Sequence, residues 1–172
     1  EVLLGPEGRL RRMLAASDLA SIILWGPPGT GKTTIARLLA AEVDMAFEPV
    51  SAVFDGVADL RKVFARAAER QAGGERTLLF VDEVHRFNKA QQDAFLPMLE
   101  SGEITLIGAT TENPSFSANA ALLSRCRVVR LDGLDDADLE SLVRRALEDP
   151  DRGLGNLRLS IDDATVDRIV LQ

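Results

Sequence analysis

Apolar residues along this chain alternate between short runs rich in Ile, Leu and Val and longer segments in which they recur every three to four positions. Short runs of this kind predict buried strands, and the longer period predicts helices with one apolar face. Their alternation is typical of α/β proteins, in which helices cover a parallel sheet. We therefore predict a five-stranded parallel sheet flanked by helices. The expected strands span 21–25, 47–53, 77–81, 104–109 and 128–131.

Segments with the helical period lie between and after these strands, at 33–42, 57–71, 88–100, 135–147 and 162–171. The residues predicted to face the core are Ile35, Leu38 and Leu39 in the first helix and Val57, Leu60, Phe64, Ala67 and Ala68 in the second. Asn88 and Gln91 resemble a capping box that opens the third helix. Pro97 should kink the last turn of that helix, because proline lacks the backbone N–H.

Charge is distributed unevenly along the chain, whose 172 residues sum to −7. Residues 131–172 hold 11 Asp and Glu against 5 Arg, a net of −6, so the other residues sum to −1. On this change we place a domain boundary near Gly133, with an α/β core at 1–132 and the start of a helical domain at 133–172. The totals predict no bulk basic surface, so any DNA contact would come from a local patch.

Neither a membrane span nor a secretory signal is expected. No segment approaches the roughly 18 apolar residues that a span requires, and no basic start precedes an apolar stretch. The only cysteine, Cys126, can form no disulfide within the chain. These features favour a protein of the reducing cytoplasm with no membrane partner.

Residues 26–33 match the phosphate-binding pattern G-x-x-x-x-G-K-[ST] and lie between a predicted strand and a predicted helix, as that pattern requires. Backbone N–H groups of such a loop surround phosphate oxygens, and the helix N-terminus adds partial positive charge. Lys32 would reach the β- and γ-phosphates of ATP, and the Thr33 hydroxyl would bind Mg²⁺. The alternative is a Gly/Pro-rich turn that only joins strand to helix. The predicted ATP-binding residues are Gly26, Pro27, Pro28, Gly29, Thr30, Gly31, Lys32, Thr33, Thr34 and Asp82.

Asp82 and Glu83 follow the apolar strand 77–81, at the sheet edge where ligands of open α/β sheets bind. Asp82 is the second predicted Mg²⁺ ligand. Glu83 is suited to orient and deprotonate the attacking water. Alone, such a pair could also be a solvated loop motif. For His85, the only histidine, we expect a positioning or surface role, because Glu83 already supplies a base.

Polar residues also follow the strand 104–109, at the same predicted edge. Thr110 is the best candidate for a group that senses the γ-phosphate or orients water, and Asn113 is the second. In the alternative interpretation, these residues cap a turn ahead of Pro114.

The order of these motifs, followed by Ser124-Arg125-Cys126, resembles the clamp-loader clade of AAA+ ATPases. Within that clade, residues 82–93 (DEVHRFNKAQQD) and 108–116 (GATTENPSF) closely resemble the RarA/MgsA family. That family is related to the eukaryotic Werner-helicase-interacting protein. The likeness covers nearly the whole chain, and these two strings are more specific than the general ATPase motifs.

The resemblance implies that Arg125 is an arginine finger, which reaches ATP bound by an adjacent subunit. The alternative is an arginine that pairs with a nearby carboxylate for structure alone. The predicted catalytic residues are thus Glu83, Lys32, Thr110, Asn113 and Arg125. The resemblance also implies that residues 133–172 begin a helical lid, and that segments of the adenine pocket and lid lie outside this chain.

As a function, the resemblance implies an ATPase that acts on DNA in replication-fork maintenance, recombination and repair. The expected partners are single-strand/duplex junctions or ends, further copies of the chain, single-strand-binding protein and other fork proteins, in a nucleoid-associated location. Candidate DNA contacts are Arg61, Lys62, Arg66 and Arg70, although such a face is more often simply solvated. Two other functions remain open: a RuvB-like junction motor or clamp-loader subunit, and a nucleotide-gated interaction module without turnover.

Overall fold

The computed structural model describes residues 19–171 and contains one sheet of five parallel strands in the order β2-β3-β4-β1-β5. The strands are β1 (Ile22–Trp25), β2 (Ala46–Ser51), β3 (Thr77–Asp82), β4 (Ile104–Thr110) and β5 (Arg127–Arg130). This arrangement confirms the predicted fold class. Because every neighbouring pair is parallel, all five carboxyl ends lie along one edge of the sheet.

The helices of the first part are α1 (Lys32–Glu42), α2 (Val57–Ala72), α3 (Lys89–Asp93), α4 (Leu96–Glu100), α5 (Pro114–Ser117) and α6 (Ala120–Leu123). A 3₁₀-helix at Val84–Arg86 follows β3, and the sequence pattern did not predict it. The described chain divides into two compact units, and the boundary lies between Leu131 and Asp132. The second unit contains α7 (Asp136–Glu148), a 3₁₀-helix at Gly155–Leu157, and α8 (Asp163–Val170).

Two apolar clusters occupy the two faces of the sheet. Alternate residues of β3 separate between them, with Leu78 and Phe80 in one cluster and Leu79 and Val81 in the other. Helix α1 packs on the first cluster and α2 on the second. All residues of β3 before Asp82 are buried, as expected for a strand covered on both faces.

The inward faces of α1 and α2 differ in part from the prediction. The buried apolar positions are Ile35, Ala36, Leu39 and Ala40 in α1 and Leu60, Val63 and Ala67 in α2. The predictions for Leu38, Val57 and Ala68 were wrong, because these three side chains are exposed. In α1, Ala36 and Ala40 share the inner face with Ile35 and Leu39, and Leu38 lies outside this face.

The predicted helix at 88–100 is interrupted rather than kinked. The capping box is confirmed: the side chain of Asn88 accepts from the Gln91 N–H at 2.9 Å, and Asn88 N–H donates to Gln91 Oε1 at 2.9 Å. Helix α3 nevertheless ends at Asp93, and α4 begins at Leu96 with Pro97 in its first turn. A proline cannot donate to the carbonyl four residues earlier and clashes with it, so the chain starts a new helix here.

Aspartate side chains mark the end of β2 and the start of both helices in the second unit. Strand β2 ends at Ser51, two residues before the predicted limit, because Asp55 Oδ2 accepts from the Ser51 N–H at 2.7 Å and closes a turn. Asp135 and Asp162 cap α7 and α8 by accepting backbone N–H groups at 2.8 Å. Arg144 pairs with Glu140 within α7 and joins this helix to α8 through Asp163. Within residues 19–171, no helix is long and apolar enough to cross a membrane.

Candidate nucleotide site

The glycines of the phosphate loop meet two different backbone requirements. A Cβ atom on Gly26 would lie 2.3 Å from the Leu131 carbonyl oxygen, so only glycine lets β1 leave the sheet here. Gly29 and Gly31 both have φ of +78°, the left-handed conformation that disfavours other residues. Gly31 is also the N-cap of α1 and provides no side-chain cap. The first backbone N–H groups of α1 therefore remain available to an anion.

Lys32 folds back over this loop. Its Nζ donates to the carbonyl oxygens of Gly26 at 2.9 Å and Pro27 at 2.7 Å, and to Thr30 Oγ1 at 3.3 Å. Burial lowers the pKa of Lys32, and the carboxylates of Glu83 and Asp82 partly offset this effect. The ammonium group is thus held at the loop by neutral oxygens, and phosphate oxygens are stronger partners for it.

A pocket of about 350 Å³ brings the phosphate loop together with the ends of β3 and β4. Its lining residues are Pro28, Gly29, Gly31, Lys32, Thr33, Thr34, Asp82, Glu83 and Thr111. The hydroxyl of Thr33 and the carboxylate of Asp82 are oxygen ligands of the kind that Mg²⁺ prefers, and this ion keeps several waters and phosphate oxygens besides. The donor set therefore fits Mg-ATP.

Glu83 has an uncommon backbone conformation, with φ of +51° and ψ of 47°. Its side-chain Oε2 lies 3.4 Å from Thr111 Oγ1 and 3.1 Å from His85 Nδ1. The left-handed conformation costs a glutamate on the order of 1–2 kcal/mol, and such strain is concentrated at functional sites.

Thr110 and Thr111 point to different surroundings. Thr110 is 1% exposed, and its hydroxyl contacts His85 Nδ1 at 2.9 Å and the backbone of Glu112. Thr111 instead lines the pocket. The predicted strand ended at Ala109, whereas β4 includes Thr110. That one-residue extension decides which threonine faces the pocket, and no signal in the sequence separates the two.

Asn113 caps a short helix and does not line the pocket. Its Oδ1 accepts from the Ser115 N–H at 3.0 Å, at the start of α5. This is the geometry of the alternative interpretation, in which Asn113 caps the turn ahead of Pro114. The amide is therefore engaged at a backbone N–H rather than directed at the phosphate loop.

Arg125 lies at the opposite edge of the sheet from the phosphate loop. It precedes the amino end of β5, where Arg127 is paired with Ile22, whereas the loop follows the carboxyl end of β1. Its Nε donates to Glu100 Oε1 at 3.0 Å, and its Nη2 also contacts that carboxylate. Its Nη1 donates to the carbonyl of Ala121 at 3.0 Å. The structure therefore does not bring Arg125 to the pocket of its own chain.

The basic outer face of α2 is largely neutralised. Lys62 pairs with Asp59 at 3.1 Å, while Arg66 and Arg70 pair with Glu48 at 2.8 and 2.7 Å. The Arg66 hydrogen bond, assisted by Arg70, lowers the pKa of Glu48. This geometry disfavours a continuous positive stripe for DNA.

Comparison with known proteins agrees with these features. The family model for the ATPase family associated with various cellular activities (AAA) matches residues 22–133. The chain belongs to the AAA family. That match includes the phosphate loop, Asp82, Glu83 and the segment of Arg125.

Individual relatives show which group within the AAA family this chain resembles. Replication-associated recombination protein A of Haemophilus influenzae is 50% identical over 161 residues, which are 94% of this chain and 36% of the relative. ATPase WRNIP1 of Dictyostelium discoideum is 47% identical over 148 residues, which are 86% of this chain and 17% of that protein. The predicted resemblance to the RarA/MgsA family is confirmed. This AAA chain spans about a third of the bacterial relative's length, at 36%.

A solved AAA structure shows the same fold. The RuvB Holliday junction branch migration motor of Thermotoga maritima superposes with a TM-score of 0.70 at 28% identity. The alignment covers 94% of this chain and 52% of that one.

Proposed function

We propose that this chain is the nucleotide-binding part of a RarA-type ATPase that hydrolyses Mg-ATP at the boundary between neighbouring subunits. The observation that carries the proposal is the convergence of Lys32, Thr33, Asp82 and Glu83 on one pocket. In this proposal, the nucleotide-binding core spans 1–132, of which 1–18 lie outside the described residues, and residues 133–172 begin a helical lid.

Each pocket residue has a distinct role in this reaction. Lys32 and the first N–H groups of α1 bind the phosphates, and Thr33 and Asp82 hold Mg²⁺. When bound there, Mg²⁺ would neutralise charge on the phosphate oxygens. Glu83 accepts a proton from the attacking water. We assign the phosphate-sensing role to Thr111 rather than Thr110 or Asn113, because its hydroxyl is the one beside Glu83 in the pocket.

Arg125 acts in trans. Its position at the amino edge of the sheet supports this role, since the phosphate loop of the same chain lies at the carboxyl edge. A neighbouring copy that docks its loop against this edge would receive a planar cation at the γ-phosphate, where such groups contribute about 10³–10⁵ in rate.

Mixing two inactive variants of the full-length protein tests this proposal. Arg125→Ala and Glu83→Gln should each lose most ATP turnover. In the mixture, one kind of interface is complete: the Arg125→Ala subunit binds ATP and supplies Glu83, and its Glu83→Gln neighbour supplies Arg125. Random equimolar mixing restores about one quarter of the interfaces in a head-to-tail assembly, so turnover should recover to about that fraction. Mixing the double variant with Glu83→Gln is the control. If the first mixture stays as inactive as this control, the trans assignment is wrong.

We further propose DNA as the effector of this ATPase, in replication-fork maintenance, recombination and repair, which would place the protein at the nucleoid in the cytoplasm. Support comes from the relatives named for replication-associated recombination. Single-strand/duplex junctions or ends, gripped through phosphates, should stimulate turnover, with less stimulation at higher salt. Single-strand-binding protein and other fork proteins are further expected partners. If no DNA structure stimulates the full-length protein, the DNA assignment fails.

The likeness to RuvB favours one alternative, a motor that moves a four-way junction. ATP-dependent branch migration of a synthetic four-way junction would support it. Junction binding without migration would favour the RarA-type role. A nucleotide-gated module without turnover would instead give the Glu83→Gln variant and the unchanged protein the same ATPase rate.

A further inference from the structure

His85 connects the ends of β3 and β4 behind the nucleotide pocket. Its side chain is only 6% exposed, and it does not line the pocket. Nδ1 contacts Glu83 and Thr110, while Nε2 lies 3.5 Å from Glu112 Oε1. A surface role therefore does not fit, and the ring is not placed to touch ATP or water in the pocket.

The hydrogen bonds determine which ring nitrogen carries a proton. The hydroxyl of Thr110 donates to the Glu112 carbonyl at 3.2 Å and accepts from the Glu112 N–H at 3.0 Å. With its hydrogen on the Glu112 carbonyl, the hydroxyl accepts from His85 Nδ1 at 2.9 Å. The ionised carboxylate of Glu83 also has only acceptors. Two acceptors next to Nδ1 favour hydrogen on that nitrogen, and this single hydrogen bonds to Thr110 while it attracts Glu83 Oε2.

We propose that His85 is a positioning residue, whose Nδ1–H is hydrogen-bonded to Thr110 and also faces Glu83 Oε2 at 3.1 Å, and which thereby orients the carboxylate for proton transfer. This inference rests on the proposed role of Glu83 as the base. Oε2 is the oxygen that both His85 and Thr111 contact. No side chain or backbone group within residues 19–171 donates a hydrogen bond to Oε1. His85 thus fixes one carboxylate oxygen and leaves the other to accept the proton of water.

Two amide substitutions, each of which imitates a different ring nitrogen, provide the test. The amide nitrogen of asparagine can take the place of Nδ1, whereas that of glutamine can take the place of Nε2. In the full-length protein, we expect His85→Gln and His85→Ala to slow single-turnover hydrolysis about 10- to 100-fold, because a misplacement of about 1 Å has that effect. His85→Asn should stay within about threefold of the unchanged protein, since it keeps the donor. The Kd for ATP should change less than about threefold in all variants, because His85 lies outside the pocket.

Coupling to Glu83 separates positioning from a merely structural role. In a Glu83→Gln background, His85→Gln should cause no further slowing, because the base that His85 orients is gone. Equal slowing in both backgrounds, or equal activity of His85→Asn and His85→Gln, would overturn the inference. Normal turnover of Glu83→Gln alone would instead overturn the proposed function. Thermal unfolding of each variant identifies losses that arise from misfolding. If one of the two amide variants does not fold, the other is compared with His85→Ala: His85→Asn should be faster than His85→Ala, and His85→Gln should be equally slow.

Discussion

At the scale of single residues, we expect the thiol of Cys126 to be unreactive in the folded chain. It packs against the second core cluster, and burial raises the pKa of its thiol to about 12. Because the thiolate is the nucleophile, Cys126 should react slowly with Ellman's reagent at pH 8 and fully in urea. As the only cysteine of the 172 residues, it gives a signal from one site. Stoichiometric labelling of the folded chain within minutes would contradict this, with Cys126→Ala as the blank.

Glu48 gives the fold a dependence on pH. Its pKa is lowered from the ordinary 4.5, chiefly by the Arg66 hydrogen bond. A lowered carboxyl pKa stabilises the folded state above the unfolded value, and the contribution disappears as pH falls through the folded value. We therefore expect Glu48→Gln to reduce the free energy of unfolding by about 1–2 kcal/mol at pH 7 and by much less at pH 3.

Urea unfolding at the two pH values measures this difference. Glu75→Gln is the matched control, because Glu75 also faces Arg70 but at 3.7 Å and with 57% of its side chain exposed. Its effect should be below about 0.5 kcal/mol at either pH. A loss for Glu48→Gln that is the same at both pH values would exclude the ionised pair as its cause.

At the scale of elements, the phosphate loop can be tested with two glycines of similar conformation. Gly29 has φ of +78° and Gly102 has φ of +74°, and an added Cβ would meet no atom within 4 Å at either position. Substitution by alanine at either position should lower the free energy of unfolding by about 1–2 kcal/mol, because alanine disfavours the left-handed conformation. Only Gly29→Ala should also weaken ATP binding, by at least about tenfold, because only Gly29 lines the pocket.

Urea unfolding and titration with a fluorescent ATP analogue would measure the two quantities separately. Gly102→Ala supplies the correction for strain without a change at the nucleotide pocket. If both variants lose affinity equally, the effect reflects global stability rather than the shape of the loop.

Local sequence patterns were sufficient for most elements. The run Leu78–Val81 has no polar position, so it predicts a strand covered on both faces, and Gly26–Thr33 carries its own backbone requirements. Periodicity therefore predicted the sheet, α1 and α2, and placed Lys32, Thr33, Asp82 and Glu83 at one edge. These features depend on neighbours within a few positions along the chain.

Other features depend on contacts between distant segments. Whether Thr110 or Thr111 faces the pocket depends on where β4 leaves the sheet. The contact of His85 with Thr110 exists because β3 and β4 are adjacent, which strand pairing alone decides. The pairing of Arg66 with Glu48 likewise joins α2 to β2, so a face that appears basic in the sequence is neutralised. Periodicity within one segment contains none of this information.

At the scale of the whole molecule, the ion pair between Arg125 and Glu100 competes with the proposed finger role. Both side chains are partly exposed, at 39% and 57%, so the pair is worth about 0.2–1 kcal/mol. Releasing Arg125 by Glu100→Gln should therefore raise ATP turnover of the full-length assembly by up to about fivefold. Glu103→Gln, which removes an equal charge three residues away, should leave turnover unchanged.

Steady-state turnover at saturating ATP is the measurement for both variants. A fall of Glu100→Gln to the level of Arg125→Ala would mean that Glu100 holds the arginine in its working position instead of restraining it.

The placement of the phosphate loop and Arg125 at opposite edges gives each subunit a polarity. Under the proposed trans arrangement, subunits join head to tail, through two different surfaces. A closed ring then has as many complete sites as subunits. An open row always has one subunit at its end whose nucleotide no arginine reaches. Opening one interface of a ring would thus silence one ATP site and leave the others complete, so the state of the assembly could be read from the number of active sites.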